Sequence, residues 1–251
     1  VAIQIIGIKG IPIVKPGNAI AHTICDAAYK QGTPIEDGDI IIVAHKIVSK
    51  SEQRVVWIKD VSPSSKAKAL AKKLGKIPEV TEIILRESRS IVRAGQGHLI
   101  TETKHGWVCA NSGIDVSNVA KGKAVALLPA DPDKSARRLR AEIKRTLGKN
   151  VAVIISDTFG RPLREGQVNV AIGIAGIKPI YDRRGEKDLF GYTFRVKQIA
   201  IADELASAAE LVLGQAAEGI PAAIIRGYKF QASENARATE LIRPREEDLF
   251  I

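Results

Sequence analysis

The feature that most constrains this chain is an interior-strand signature that ends abruptly in chemistry. Val151 to Ile155 is a short, fully apolar, mostly β-branched run, followed at once by Ser156-Asp157-Thr158-Phe159-Gly160-Arg161-Pro162-Leu163-Arg164-Glu165-Gly166. Such a run reads as a buried strand, and the sudden change to Asp, Thr, Gly, Arg and Pro reads as a polar loop at its end. Open sheets usually keep their chemistry at such ends. Asp157 with Thr158 offers hard oxygen ligands for Mg²⁺ or Mn²⁺, while Arg161 and Arg164 can hold phosphate or carboxylate oxygens in paired hydrogen bonds. The competing reading is that Asp157 or Thr158 caps a turn and the arginines face water.

The same pattern recurs upstream. Gly106 to Ala110 is apolar around Trp107 and Cys109, and the chain then changes to Asn111-Ser112-Gly113-Ile114-Asp115-Val116-Ser117-Asn118. Asp115 and Asp157 are far apart in sequence, but strand ends can bring them together. Two carboxylates at one place repel, and a divalent cation with a polyphosphate removes that repulsion. Alternatively each carboxylate simply starts a turn. Cys109 reads as a small buried apolar residue, since no histidine stands near it in a nucleophile pattern.

Further elements frame these two stretches. Strands are expected at Val1 to Ile8, Asp39 to Ala44, His98 to Thr103, Lys123 to Leu128, Gln167 to Gly176, Tyr192 to Ile199 and Pro221 to Ile225. Val80 to Arg86 and Ser90 to Ala94 read as strands or the ends of elements. Helices are expected at Ala19 to Gln31, Pro63 to Lys76, Asp131 to Leu147 and Ala202 to Gly214, with one more in the tail to Ile251. Asp131 supplies an N-cap, Pro132 the first helical position and Gly148 the stop. Ala136, Leu139, Ile143 and Leu147 form an apolar stripe on that helix, which leaves its arginines and lysines on a solvated face or an RNA-binding one. After the second strand, Lys46 and Lys50 fall four apart in His45-Lys46-Ile47-Val48-Ser49-Lys50, on one face if the segment is helical. Two ammonium groups side by side suit a triphosphate, or are a solvated pair. His45 is a candidate ligand, base or hydrogen-bond donor, and equally an ordinary half-buried histidine.

Composition narrows the classes. At 251 residues the chain can bury roughly three quarters of its unfolded surface and needs neither disulfide nor structural metal to fold. A net charge of +10 attracts anions of any kind, but 4 % aromatics leave few platforms for stacking single-stranded nucleic acid. Two cysteines, Cys25 and Cys109, are too few for a disulfide scaffold, so a cytoplasmic location is expected, and with no apolar segment of membrane-spanning length no membrane partner is expected. No Walker A loop, Rossmann fingerprint, zinc-finger spacing, HExxH or GxSxG occurs, and Gly95-Gln96-Gly97 lacks the third glycine and following helix of a dinucleotide loop. Any nucleotide site must be assembled from dispersed loops.

Taken together, Gly10-Ile11-Pro12-Ile13, His45 to Lys50, Ala110 to Asp115, Ser156 to Pro162 and Ala202 to Glu210 resemble the archaeal coenzyme F420 gamma-glutamyl ligase family over nearly the whole chain. The resemblance matches the stand-alone archaeal form in length, without an added reductase-like domain. It implies an unusual α+β fold of mixed sheets and packed helices, acting as one catalytic unit over residues 1–251, with two intertwined subdomains possible. It also implies a GTP-dependent amide ligase that joins L-glutamate to the lactyl-phosphate side of the deazaflavin precursor F420-0, then adds another through its γ-carboxyl. By similarity, Gly10, Ile11, Pro12, Ile13, His45, Lys46, Lys50 and Asn118 would contact the guanine nucleotide. Asp115, Asp157 and Thr158 would hold two divalent cations, Mg²⁺ or Mn²⁺, and Gly214 and Gln215 would complete the nucleotide or metal site. Lys46 and the arginines, Arg161 first, would absorb developing charge, with Arg161, Arg164 and Arg184 as candidates for substrate phosphate and carboxylates. Potassium and a homodimer belong to the same expectation. The rivals are another metal-dependent nucleotide enzyme, such as a kinase or phosphatase, and a basic RNA-binding protein.

Overall fold

The computed structural model describes residues 2–249. Val1 of the first expected strand and Phe250 and Ile251 of the tail lie outside the described residues. The chain forms β1 (Gln4–Gly7), α1 (Ile20–Lys30), β2 (Ile40–Ala44) and α2 (His45–Ser51). There follow β3 (Val55–Trp57), α3 (Ser65–Leu74), α4 (Pro78–Glu87), β4 (Ser88–Gly95), β5 (His98–Thr103), β6 (Val108–Ala110) and β7 (Ala124–Ala126). The remainder is α5 (Pro132–Leu147), β8 (Ala152–Arg161), β9 (Arg164–Ala175), β10 (Tyr181–Asp182), β11 (Gln198–Ile199), α6 (Ile201–Leu213) and β12 (Ala222–Arg226). The class is α+β with mixed sheets.

The principal sheet has the order β1-β12-β2-β8-β9, in which β2 and β8 are parallel and the other neighbours antiparallel. Ile40 to Val43 and Ala152 to Ile155 are 0 % exposed, so the middle of the sheet is covered on both faces. That is why these two strands are continuous apolar runs without alternation. α5 packs on β8 and β9 and against α1, while α6 lies across β9, β1 and β12. Residues 55–127 bury separate small cores, among them Val61, Ile83, Val125 and Leu127 in one and Leu74, Ile84 and Leu99 in another. The caps of α5 follow the sequence: Asp131 accepts the Lys134 N–H at 2.9 Å, and Gly148 ends the helix at φ 72°. Ala136, Leu139 and Ile143 are buried, whereas Leu147, at the end of the stripe, is 38 % exposed.

Four expectations are corrected. Ser156 to Gly166 is not a loop: β8 continues through Asp157 and Thr158 to Arg161 and turns at Pro162-Leu163 into β9. Pairing with β9 satisfies the backbone of these polar residues, so they extend the strand. Val80 to Arg86 lies inside α4, which Pro78 starts and which buries Thr81, Ile83 and Ile84, so packing outweighs β-branched propensity. Of Tyr192 to Ile199 only Gln198–Ile199 pairs, with Tyr181–Asp182, and Tyr192 and Val196 stand exposed. The tail carries two 3-10 turns, Ala238–Leu241 and Arg245–Glu247, and no α-helix among its described residues.

β9 is an edge strand, yet its outer backbone is not free. Asp203, Ser207 and Glu210, at i, i+4 and i+7 on α6, take up the Ala171 N–H (2.9 Å), the Asn169 carbonyl (2.7 Å) and the Asn169 N–H (2.8 Å). A helix face thus substitutes for a sixth strand. The register slips by one residue at Ile172, between the pairs Ile155↔Gly173 and Ser156↔Ala171. Next to that bulge, Gly173 admits the start of α5: a Cβ there would meet the carbonyl carbon and oxygen of Pro132 at 2.5 Å.

Burial pushes the Asp203 carboxyl above its ordinary value, against the pull of the Ala171 N–H. For an acid raised in the folded state, the folded protein holds the proton where the unfolded chain has lost it, so stability falls as pH rises between the two values. Asp203→Asn keeps an acceptor for Ala171 and removes this dependence. Its Tm relative to the parent is expected to improve as pH rises through the acid range, while Asp203→Ala, leaving the amide unpaired, costs about 1–3 kcal/mol. Thermal melts of both variants across pH check this.

Candidate active site

The site begins where the parallel strands end. Ala44 and Ser156 are the last paired residues of β2 and β8, so His45 and Asp157 emerge together. His45 is 3 % exposed, with Nε2 at 3.2 Å from Asp157 Oδ1 and Nδ1 at 3.4 Å from Ser49 Oγ. The Nε2 atom is not aligned for a hydrogen bond to Asp157. α2 opens with these residues, and Lys46 and Lys50 share a face as expected. Lys46 Nζ lies 2.6 Å from Asp115 Oδ2 and donates to Ser117 Oγ at 3.0 Å, while Lys50 Nζ donates to the Asn118 carbonyl at 2.9 Å.

Asp115 is carried there by an unusual stretch of backbone. Asn111, Ser112 and Gly113 adopt positive φ in succession (53°, 56° and 66°), turning the chain so that Asp115 bridges Ala126 of β7. Side chains rarely accept this conformation unless neighbours hold it. Here the Ser112 hydroxyl is held by Ser88 Oγ and Thr101 Oγ1, each at 2.7 Å. Burial opposes ionisation of Asp115, but bonds from Lys46 and Ser117 outweigh it and keep the carboxyl below its ordinary range. Burial, then the charge of Lys46, lowers Lys50, with Asp115 pulling the other way. An anion between the two lysines relieves that repulsion.

Thr158 leaves β8 on the face opposite Asp157. Its Oγ1 lies 2.8 Å from Asn169 Oδ1, its cross-strand partner, and 3.0 Å from Gln215 Oε1. Gln215 follows Gly214, whose φ of 70° and ψ of 176° form a region open essentially to glycine alone. The neighbouring Ala216 carbonyl accepts from Asn118 Nδ2 at 3.1 Å. Four contacts link these stretches: His45 with Asp157, Lys46 with Asp115, Asn118 with the Ala216 carbonyl, and Gln215 with Thr158.

Among the described residues no three His, Cys, Asp or Glu groups converge. The expected donors are hard oxygens: two carboxylates, a hydroxyl and a side-chain amide. This donor set suits Mg²⁺ or Mn²⁺, ions that complete their shell with water and phosphate oxygens, and does not suit zinc. The ammonium of Lys46 supplies Asp115 with positive charge at 2.6 Å. Cys109 is no nucleophile here, because burial first and the Asp157 charge second push its thiol up to about 12.

Other expected residues lie apart. Gly10 to Ile13 leaves β1 at the same end of the sheet and is tied nearby to α2 by the Gly17 N–H on the Ser51 carbonyl (2.9 Å), with Ile13 exposed. Arg161 is four residues beyond Asp157, roughly 13 Å along an extended strand, and its guanidinium donates to the Glu165 carbonyl of its own hairpin. Arg184 is engaged with Asp182 at 2.9 and 3.0 Å. Sequence reading missed Ser117, Asn169 and Glu210. Reading 156–175 as a hairpin would have placed Asn169 opposite Thr158, and the polar i, i+4, i+7 stripe of α6 pointed to Glu210.

A family model described as F420-0:Gamma-glutamyl ligase matches residues 7–227, a span that holds all of these residues. The chain belongs to the F420-0:gamma-glutamyl ligase family. Proteins named Coenzyme F420:L-glutamate ligase are similar to it across almost their full length. The one from Methanothermobacter thermautotrophicus is 48 % identical over 249 residues, 99 % of this chain and 98 % of the relative. That from Methanocaldococcus jannaschii is 50 % identical over 248 residues, covering 99 % and 96 %, and that from Archaeoglobus fulgidus is 38 % identical over 247 residues, covering 98 % and 96 %. Membership in this family makes the chain an enzyme of the ligase class. No helix among its described residues is long and apolar enough to cross a membrane.

Proposed function

We propose that this enzyme is a GTP-dependent amide ligase that adds L-glutamate successively to coenzyme F420-0 through an acyl phosphate, releasing GDP and phosphate. The observation that supports the reading is that Lys46 pairs with Asp115 at 2.6 Å on the helix that follows His45, itself 3.2 Å from Asp157, while Asn118 holds the Ala216 carbonyl next to Gln215, which meets Thr158. Oxygen donors and cations of this kind are what a nucleoside triphosphate requires, and the sequence offers no Walker A loop to supply them. A carboxylate is a poor acyl donor. Its oxygen attacks the γ-phosphorus, GDP departs, and the glutamate amine then attacks the acyl carbon with loss of phosphate and of one amine proton. Lys46 and Lys50 supply fixed positive charge to the phosphates. Asp115, Asp157, Thr158 and Gln215 would hold two divalent cations, which neutralise phosphate oxygens and orient them when bound.

Potassium and a homodimer belong to the same proposal, with no residue assigned to the monovalent ion. Leu163 on the hairpin tip and Leu189, Phe190 and Val196 in the following excursion stand exposed, side chains of the kind a second copy would cover.

The test is to incubate the protein with GTP, Mg²⁺, L-glutamate and F420-0 and to weigh the products. Products one and two glutamyl units heavier, with phosphate released only when both donor and acceptor are present, are expected. Steady GTP hydrolysis without acceptor would favour a phosphatase, and phosphoryl transfer without amide formation a kinase. Lys50→Ala is expected to weaken GTP binding roughly 10- to 100-fold, the range for hydrogen bonds to charged groups. Calorimetric titration with GTP reads this, and unchanged affinity removes Lys50 from the site.

A further inference from the structure

A side-chain amide presents either an oxygen or an NH₂ group, depending on which way it is turned. At Gln215 the choice is made by Glu210. Glu210 Oε1 accepts from Gln215 Nε2 at 2.8 Å, and Glu210 Oε2 accepts the Asn169 N–H, also at 2.8 Å. A carboxylate accepts and does not donate, so the NH₂ of Gln215 must face Glu210 and its oxygen must face Thr158. Asn169, 4 % exposed, is set in the same way: its Oδ1 receives Thr158 Oγ1 at 2.8 Å and Gln215 Nε2 at 3.1 Å.

We infer that Glu210 is a positioning residue for the reaction, turning the Gln215 oxygen toward Thr158 while it anchors β9 through Asn169. It takes no place among the proposed ligands. Its two oxygens divide the work, one serving the sheet edge and the other the site. The inference rests on the reading of Thr158 and Gln215 as oxygen donors to a divalent cation. Groups that orient metal ligands in this way change metal affinity or activity by about 10- to 100-fold when removed.

Ser207 separates this role from a structural one, since its hydroxyl donates to the Asn169 carbonyl and does not touch Gln215. The experiment titrates Mn²⁺ alone into the full-length protein, following free Mn²⁺ by electron paramagnetic resonance, with a thermal melt of each variant. Glu210→Gln is expected to weaken Mn²⁺ binding by roughly 10- to 100-fold, as Gln215→Ala does. The double variant should bind no more weakly than Gln215→Ala alone, because the two residues act as one unit. Ser207→Ala should lower Tm and leave Mn²⁺ affinity as it was. Parental Mn²⁺ affinity in Glu210→Gln, or additive losses in the double variant, overturns the inference and leaves the proposed function standing. Absence of Mn²⁺ binding by the parent protein overturns the metal reading, and this inference with it. Should Glu210→Gln not fold, Glu210→Asp keeps the charge but withdraws it by one methylene. It is expected to fold with weakened Mn²⁺ binding, and unchanged affinity there is equally decisive against the role.

Discussion

Asp157→Asn is expected to lower ligation by roughly 10³-fold or more while the protein stays folded. The substitution keeps the shape of the side chain and an oxygen able to accept the Thr158 N–H, as Asp157 Oδ1 does at 2.7 Å. It removes only the charge. Stabilisation of transferring phosphate by a bound cation amounts to several kcal/mol, and each 1.36 kcal/mol is about tenfold in rate. Asp115→Asn should act similarly, since Lys46 would lose its ionic partner at 2.6 Å and be free to fold elsewhere. Steady-state rates with Mg²⁺ and with Mn²⁺, beside melts of the metal-free protein, read both variants. Loss of the fold would make these carboxylates structural, and retained turnover would remove them from the reaction.

The second large effect is on stability. Gly173→Ala is expected to destabilise the protein by about 1–3 kcal/mol, the range for overpacked interiors, and to lower Tm by roughly 2–4 °C for each kcal/mol. The added methyl meets backbone atoms of Pro132, not the flexible end of a side chain, so the start of α5 has to move off β9. That movement also pulls Asp133 from the Ile174 N–H (2.8 Å) and the Ala238 N–H (3.1 Å). A Tm equal to the parent's would show that this contact yields without cost. Gly214→Ala, by contrast, first meets the flexible end of the Glu218 side chain, and its penalty lies in the backbone conformation itself.

Much of this arrangement is legible in the sequence. The apolar runs at Ile40 to Val43 and Val151 to Ile155 read as interior strands because both of their faces are covered. Asp131, Pro132 and Gly148 delimited α5 through capping chemistry that operates locally. The sequence could not show that Ser156 to Gly166 is a strand, because its extended form depends on partners in β9 and its composition suits a loop. The failure at Val80 to Arg86 has the opposite origin, a β-branched segment made helical by the proline before it and the core beneath it. Within the site, single residues beside strand ends were visible, and the family resemblance supplied the others. Glu210 and Asn169 were hidden because their role lies in geometry: one meets the other's backbone 41 positions away, and both meet Gln215.

The helix face laid along β9 has a kinetic consequence. The amides of Asn169 and Ala171 point away from the sheet, where an edge strand ordinarily exchanges its hydrogens with water quickly, yet both are held by carboxylates of α6. Deuterium can reach them only when that helix lifts. The helix runs directly into Gly214 and Gln215, so the same opening that unprotects two backbone hydrogens also dismantles one wall of the proposed site. Their exchange rate is therefore a clock for how often the catalytic arrangement comes apart, and a ligand held by Gln215 should slow it.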